Sequence, residues 1–141
     1  MQKVKLNFRL EPRYHDRAPM MSVTLNEQIL LDGELVEIKE FESELDVVDD
    51  STYKLRFNLY GKQDGDTVVD DDGNIVKDQT VTVSNIKFDD IEIDSMLTLN
   101  MDNFYYSHDG IRKPFYDTMG RNGSSVITFT TPLYIWLLEN L

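Results

Sequence analysis

Residues 3–11, with the sequence KVKLNFRLE, decide the fold class. The even positions carry apolar side chains and the odd positions carry polar or charged ones, in strict alternation over all nine residues. Successive side chains of a β-strand point to opposite faces of a sheet, so this period of two predicts a strand buried on one face. Residues 53–60, YKLRFNLY, repeat the pattern and predict a central strand.

The composition of the 141-residue chain also favours a β fold. It contains a single alanine, Ala18, whereas valine, isoleucine and threonine together supply 30 residues. Alanine is the best helix former, and β-branched side chains fit a pleated sheet. About nine or ten short strands separated by turn residues predict one domain, residues 1–141, with an all-β antiparallel β-sandwich of the jelly-roll type. Residues 132–141 are predicted to form a short helical or irregular tail docked on this sandwich.

The net charge of the chain indicates which classes of binding partner are expected. The chain has 26 acidic and 14 basic side chains, a formal charge of −12, whereas nucleic-acid-binding proteins present a basic surface. The stretch 124–138 has no charged residue, but it contains serine, threonine and proline and is too polar for a membrane span. The N-terminus lacks the apolar region of a signal peptide. We therefore expect no nucleic-acid partner, no membrane partner, no transmembrane segment and no signal peptide.

The charge is distributed unevenly along the chain. The first 17 residues carry five basic and two acidic side chains, a charge of +3, so the remainder carries −15. The basic face of the first strand can pair with acidic residues of the same chain or of a second copy of the chain. The sequence therefore allows a homo-oligomer as an alternative. We expect instead a solvated strand at a sheet edge, where lysines prevent edge-to-edge aggregation.

The sequence contains no pattern typical of a catalytic site. There is no cysteine, and the two histidines, His15 and His108, lie 93 positions apart without a Gly-x-Ser-x-Gly motif or a phosphate-binding glycine loop near them. A pair of carboxylates suited to glycoside hydrolysis is inevitable among 26 acids and therefore indicates nothing specific. We predict that the protein is not an enzyme.

Residues 64–78, named the acidic loop below, are a candidate calcium site. Calcium prefers six to eight oxygen ligands, commonly drawn from a loop that contains glycine. The candidate ligands are Asp64, Asp66, Asp70, Asp72, Asn74 and Asp78. An EF-hand is excluded because its first and twelfth ligand positions would be Val68 and Gln79. The alternative is a solvated acidic hairpin that binds no cation, since Asp-Gly between apolar pairs is a strong hairpin signal.

The segment from residue 102 to residue 125 is predicted to be a long irregular loop, and residues 102–122 within it are the best candidate for a recognition surface. Aromatic rings stack on the C–H faces of sugars, and Asp, Asn and Arg side chains bond to sugar hydroxyls. The candidate ligand-binding residues are Tyr105, Tyr106, His108, Arg112, Tyr116 and Asp117. The same mixture suits a protein interface, and a third interpretation is that the aromatic residues only pin the loop to the sandwich.

Two resemblances add to these predictions. Residues 59–93, which include DTVVDDDGNIVKD, and the C-terminal stretch FTTPLYIWLLENL resemble small uncharacterised proteins of marine tailed phages. The architecture with its acidic loops is similar to calcium-dependent carbohydrate-binding modules of the small jelly-roll kind.

The first resemblance implies a protein of the virion, assembled in the host cytoplasm. The second implies a non-catalytic module that recognises a surface glycan, with calcium as a possible cofactor. The alternative function is a structural or decoration protein of the phage capsid or tail, with virion proteins as partners. Fold analogy alone does not decide between them.

Overall fold

The computed structural model describes residues 2–97, 101–115 and 117–140. Within these residues the chain forms thirteen β-strands, two short 3-10 turns (Asp64–Asp66 and Asp94–Met96) and one α-helix. The strands are β1 (Gln2–Arg13), β2 (Met20–Leu25), β3 (Gln28–Glu34), β4 (Lys39–Val47), β5 (Thr52–Tyr60), β6 (Val68–Val69), β7 (Ile75–Lys77), β8 (Thr80–Phe88), β9 (Ile91–Glu92), β10 (Phe104–His108), β11 (Ile111–Pro114), β12 (Thr118–Met119) and β13 (Gly123–Thr130). The helix is α1 (Leu133–Asn140).

The strands form two main sheets and a separate hairpin. A five-stranded sheet has the order β12-β8-β1-β4, with β9 paired to β8, and a six-stranded sheet has the order β11-β10-β13-β5-β2-β3. Strands β6 and β7 pair only with each other and form the hairpin of the acidic loop. All of these pairings are antiparallel, so the predicted all-β antiparallel sandwich is confirmed.

The core lies between the two sheets. The even residues of β1, namely Val4, Leu6, Phe8 and Leu10, are at most 1% exposed, as their alternation predicts. The ring of Phe8 meets the ring of Phe57 on the opposite sheet, with centroids 5.1 Å apart and planes nearly perpendicular. Burial of such apolar surface is the main favourable term in folding.

The prediction that β1 is an edge strand is wrong. Strand β1 lies inside the five-stranded sheet, between β8 and the edge strand β4. Its basic side chains pair within the chain: Lys5 Nζ lies 3.2 Å from Glu42 Oε1, and Arg9 Nε lies 3.6 Å from Glu40 Oε1. The alternation in β1 reflects one buried face and one salt-bridged face, which looks the same in sequence as a solvated edge.

The helix α1 closes one end of the sandwich. Leu133, Trp136 and Leu137 are buried, so the predicted docked helical tail is confirmed. The Trp136 ring lies between 5.9 and 6.2 Å, centroid to centroid, from the rings of Phe88, Phe104 and Phe129. No helix in the described ranges is long and apolar enough to cross a membrane.

The prediction of a long irregular loop over residues 102–125 is also wrong. Strands β10 and β11 form a two-residue hairpin in which His108 pairs with Ile111. Asp109 and Gly110 make the turn with φ of 51° and 76°, which is the left-handed conformation that Asp and Gly tolerate best. Strand β10 also pairs with β13, so Phe104, Tyr105 and Tyr106 belong to the six-stranded sheet.

Candidate functional site

A cleft of about 880 Å³ lies between the acidic loop and the β10–β11 hairpin. Its walls include Asp64, Asp78, Tyr106, His108, Lys113 and Arg121. Parts of the two sites predicted from sequence therefore meet in one place, which we name the hairpin cleft. Ligand pockets commonly have volumes of about 300–1,000 Å³, so this cleft is large enough for a small oligosaccharide or a peptide segment.

Lys62 anchors the acidic loop to the opposite wall of the cleft. Its Nζ, on a side chain only 11% exposed, donates to Asp78 Oδ1 at 2.7 Å and to the carbonyl oxygen of Gly120. The hydroxyl of Thr67 donates to the same Asp78 oxygen at 2.6 Å. Burial alone would raise the pKa of Asp78, but the hydrogen bonds from Lys62, Thr67 and the Gln79 backbone outweigh it and hold this pKa below its usual value.

A side-chain amide holds the same two segments together. The backbone N–H of Lys62 donates to Asn122 Oδ1, and Asn122 Nδ2 donates to the carbonyl oxygen of Lys62, both at 2.9 Å. This pair of bonds imitates the pairing of two strands. The loop after β5 and the loop before β13 are thus joined at the base of the cleft.

Asp66 is a buried structural carboxylate. Its Oδ2 accepts hydrogen bonds from Arg17 and, at 2.8 Å, from the backbone N–H of Gln63. The Asp66 side chain is 7% exposed, whereas the Arg17 side chain is 45% exposed and also donates to the carbonyl oxygen of Gly61. The Arg17 hydrogen bond, followed by that of Gln63, holds the pKa of Asp66 below its usual value.

This ion pair predicts a specific pH dependence of stability. A carboxyl whose pKa is lower in the folded chain stabilises the fold above its unfolded pKa, about 3.9, and loses that contribution as the pH falls through the folded pKa. We therefore expect Asp66→Asn to lower the free energy of unfolding at pH 7, and the deficit to shrink as the pH falls below about 4. Chemical denaturation across this range measures it. Asp71→Asn, at an exposed position of the same loop, is the control, and a deficit for Asp66→Asn that does not change with pH would contradict the explanation.

The tip of the acidic loop is organised by Asp70. Its Oδ1 accepts hydrogen bonds from the backbone N–H groups of Asp72 at 3.0 Å and Asn74 at 2.9 Å, which is the Asx arrangement of a tight turn. Among the residues that the structure describes, no group of three or more His, Cys, Asp or Glu side chains is arranged to hold a metal ion. Of the six candidate calcium ligands, Asp64 and Asp78 line the cleft, Asp66 and Asp70 make the internal bonds described, and Asp72 and Asn74 are exposed. Calcium binding stays a prediction.

Tyr106 and His108 form one wall of the cleft from strand β10. Their rings lie 5.3 Å apart, and the Tyr106 hydroxyl donates to the carbonyl oxygen of Arg121 at 2.8 Å. His108 Nδ1 lies 3.0 Å from Asp109 Oδ2; a carboxylate only accepts, so Nδ1 is the donor. In the described part of the chain Nε2 has no protein partner, and in a neutral ring it is an acceptor.

The remaining sequence candidates lie elsewhere. Tyr105 projects from the opposite face of the six-stranded sheet, and the Arg112 guanidinium covers its ring at 3.9 Å from the centroid. Tyr105 is 7% exposed, and Tyr106 and His108 are 5% and 7% exposed, so none of these rings has a face free for stacking on a sugar. The Asp117 side chain is exposed outside the cleft, and its carbonyl oxygen accepts from the backbone N–H of Val83 at 2.7 Å. Tyr116 lies outside the described residues.

Two cleft residues, Lys62 and Lys113, were missed from sequence. The signal for Lys113 was present, because Asp109-Gly110 is the same Asp-Gly turn signal that the acidic loop carries at Asp72-Gly73. A hairpin there puts Lys113 directly opposite Tyr106. No local pattern indicates Lys62, since its partners Asp78 and Gly120 are 16 and 58 residues away.

Comparisons of the chain with protein-family models, with curated proteins and with solved structures find no match. What the protein does must therefore be inferred from its own residues and their geometry.

Proposed function

We propose that the protein is a non-catalytic binding module that recognises a surface glycan in the hairpin cleft. One observation carries the proposal: the polar residues Asp64, His108 and Arg121 and the exposed apolar residues Val69 and Ile75 line the same cleft. Sugars are bound by donors and acceptors fixed beside a flat or apolar surface. The resemblance to marine phage proteins supports a location on a virion.

The lining of the cleft suits the two kinds of surface that a sugar presents. Hydroxyl groups can bond to the Asp64 carboxylate, the Arg121 guanidinium and His108 Nε2. C–H faces can pack on Val69 and Ile75, which line the cleft and are 51% and 62% exposed. Because Lys62 and Asn122 tie the loops together, the site is largely formed before a ligand binds, which lowers the entropic cost of binding.

Glycan arrays probed with the wild type and two arginine variants test this proposal. Arg121→Ala removes an exposed side chain of the cleft, and Arg112→Ala removes an exposed arginine on the opposite face of the sheet. We expect wild-type binding to one glycan class that falls about tenfold or more in Arg121→Ala and is kept in Arg112→Ala. The opposite pattern would move the site to the Tyr105 face, and no binding of any glycan would refute the proposal.

Calcium assistance is the second part of the proposal. Exposed carboxylates of the acidic loop are chemically suited to calcium, and an ion there would order the loop over the cleft. A ligand that binds only the folded chain raises its stability, so millimolar calcium is expected to raise the melting temperature relative to chelator. An unchanged melting curve, with glycan binding equal in calcium and in chelator, would remove calcium from the proposal.

A second candidate function is a structural or decoration protein of the phage particle. The observation that favours it is the outer face of α1, where Tyr134, Ile135 and Leu138 are 57%, 53% and 74% exposed. Contiguous exposed apolar side chains of this kind often mark protein interfaces. If this face binds a second copy, the sedimentation coefficient rises with concentration in the wild type and not in Leu138→Asp; a monomer at all concentrations counts against self-association.

A further inference from the structure

We infer that the hairpin cleft selects glycans that carry an anionic group, either a carboxylate or a sulfate. The inference rests on the proposed function, since it names the class of glycan bound at that site. It is carried by two cations on one wall of the cleft, Lys113 and Arg121.

The basic residues of the cleft differ in their ion-pair partners. On the side of the acidic loop, the charge of Asp78 is compensated by Lys62, with 2.7 Å between Oδ1 and Nζ. On the opposite wall Asp109 bonds to His108, but in the described part of the chain neither Lys113 nor Arg121 has an ion-pair partner. Both side chains are therefore available to pair with a charged group of a ligand.

Both basic residues are neighbours of Tyr106. Lys113 is the cross-strand partner of Tyr106 in the β10–β11 pair, so the two side chains share one face of the sheet. Arg121 is tied to the same tyrosine because its carbonyl oxygen accepts the Tyr106 hydroxyl at 2.8 Å. His108 lies two residues further along β10, on the same face as Tyr106.

An anionic sugar fits this arrangement better than a neutral one. The guanidinium of arginine forms paired hydrogen bonds with planar carboxylates and with sulfate oxygens, and lysine adds a point charge. Asp64 on the facing wall accepts hydrogen bonds only, so it favours the hydroxyl groups of the sugar and repels its acidic group. The ligand is thereby oriented with its acid towards Tyr106 and its hydroxyls towards the acidic loop.

Calorimetry with matched saccharide pairs tests the inference on the full chain. Each pair differs only in charge: oligogalacturonate and its methyl ester, sialyllactose and lactose, and a sulfated galacto-oligosaccharide and its desulfated form. We expect an acidic member to bind at least about tenfold more tightly than its neutral partner. The first two pairs report on a carboxylate and the third on a sulfate.

Variants that remove one positive charge test whether Lys113 and Arg121 cause the preference for the acidic saccharide. Lys113→Gln and Arg121→Gln are each expected to weaken binding of the acidic member about tenfold more than binding of its neutral partner. Lys54→Gln and Arg56→Gln, at exposed positions on β5 outside the cleft, are the controls and should keep the preference. Melting curves of all four variants check that they fold.

The outcomes separate this inference from the proposed function. Equal affinity for acidic and neutral members overturns the anionic preference and leaves glycan binding in place. An acidic preference that survives in both cleft variants also overturns it, because the cations responsible then lie elsewhere. No binding to any member of the three pairs overturns the inference together with the proposed function.

Discussion

Gly123→Ala is expected to lower the free energy of unfolding by about 1–3 kcal/mol and to weaken ligand binding in the hairpin cleft. A Cβ at position 123 would lie 2.3 Å from the carbonyl oxygen of Ser107 and 2.9 Å from the Cβ of His108. The first contact is with backbone, which cannot turn away as a flexible side chain could. Strands β10 and β13 must then separate at this point, and His108 moves with β10.

Gly120→Ala is the matched control for this prediction. Gly120 also lines the cleft, but a Cβ there would meet nothing closer than 4.0 Å, at Asp78 and Thr80. Chemical denaturation and glycan binding of the two variants should therefore differ: Gly123→Ala loses both stability and affinity, and Gly120→Ala keeps both. Gly123→Ala with wild-type stability would mean that the close approach of the two strands does not constrain the fold.

The fold class was predictable because it depends on a local pattern. Alternation in β1 reports directly which side chains face the core, and Val4, Leu6, Phe8 and Leu10 are buried as their parity predicts. The position of β1 within its sheet was not predictable in the same way. Alternation describes the two faces of a strand, whereas being at an edge depends on hydrogen bonds to β4 and β8, which lie about 30 and 80 residues further along the chain.

The candidate site was predictable in part, for a similar physical reason. Acidic residues and aromatic residues were each recognised as candidates, but their meeting in one cleft depends on contacts between distant residues such as Lys62 with Asp78 and Asn122. The direction of each side chain then separates the candidate residues further. Adjacent residues Tyr105 and Tyr106 point to opposite faces of the sheet, so only one of them can line the cleft.

The acidic loop shows why a count of carboxylates is a weak indicator of a metal site. Asp66 and Asp70 look like calcium ligands in sequence, yet the first pairs with Arg17, 49 residues away, and the second accepts the N–H groups of its own turn. The composition of a loop cannot distinguish carboxylates that stabilise the fold from carboxylates that are available to bind a ligand. That distinction requires the hydrogen-bond partner of each oxygen.

Trp136→Ala is expected to cost about 3–5 kcal/mol of unfolding free energy, the usual range for removing a large buried aromatic side chain. Trp136 is 3% exposed and contacts Phe88 of the five-stranded sheet and Phe104 and Phe129 of the six-stranded sheet. Its removal leaves a cavity where both sheets and α1 meet. The three phenyl rings cannot fill it without leaving their own packing, so the cost should lie well above that of an exposed substitution.

Leu138→Ala, two residues further along α1, is the control for Trp136→Ala. Leu138 is 74% exposed, so its truncation should change the unfolding free energy by less than about 0.5 kcal/mol. Denaturant unfolding of both variants, with circular dichroism to follow the sheets and tryptophan fluorescence in Leu138→Ala, measures the difference. If Trp136→Ala were as stable as Leu138→Ala, the helix would not be part of the folded core. The apolar outer face of α1 would then be a property of a loosely attached tail and would no longer support an assembly surface.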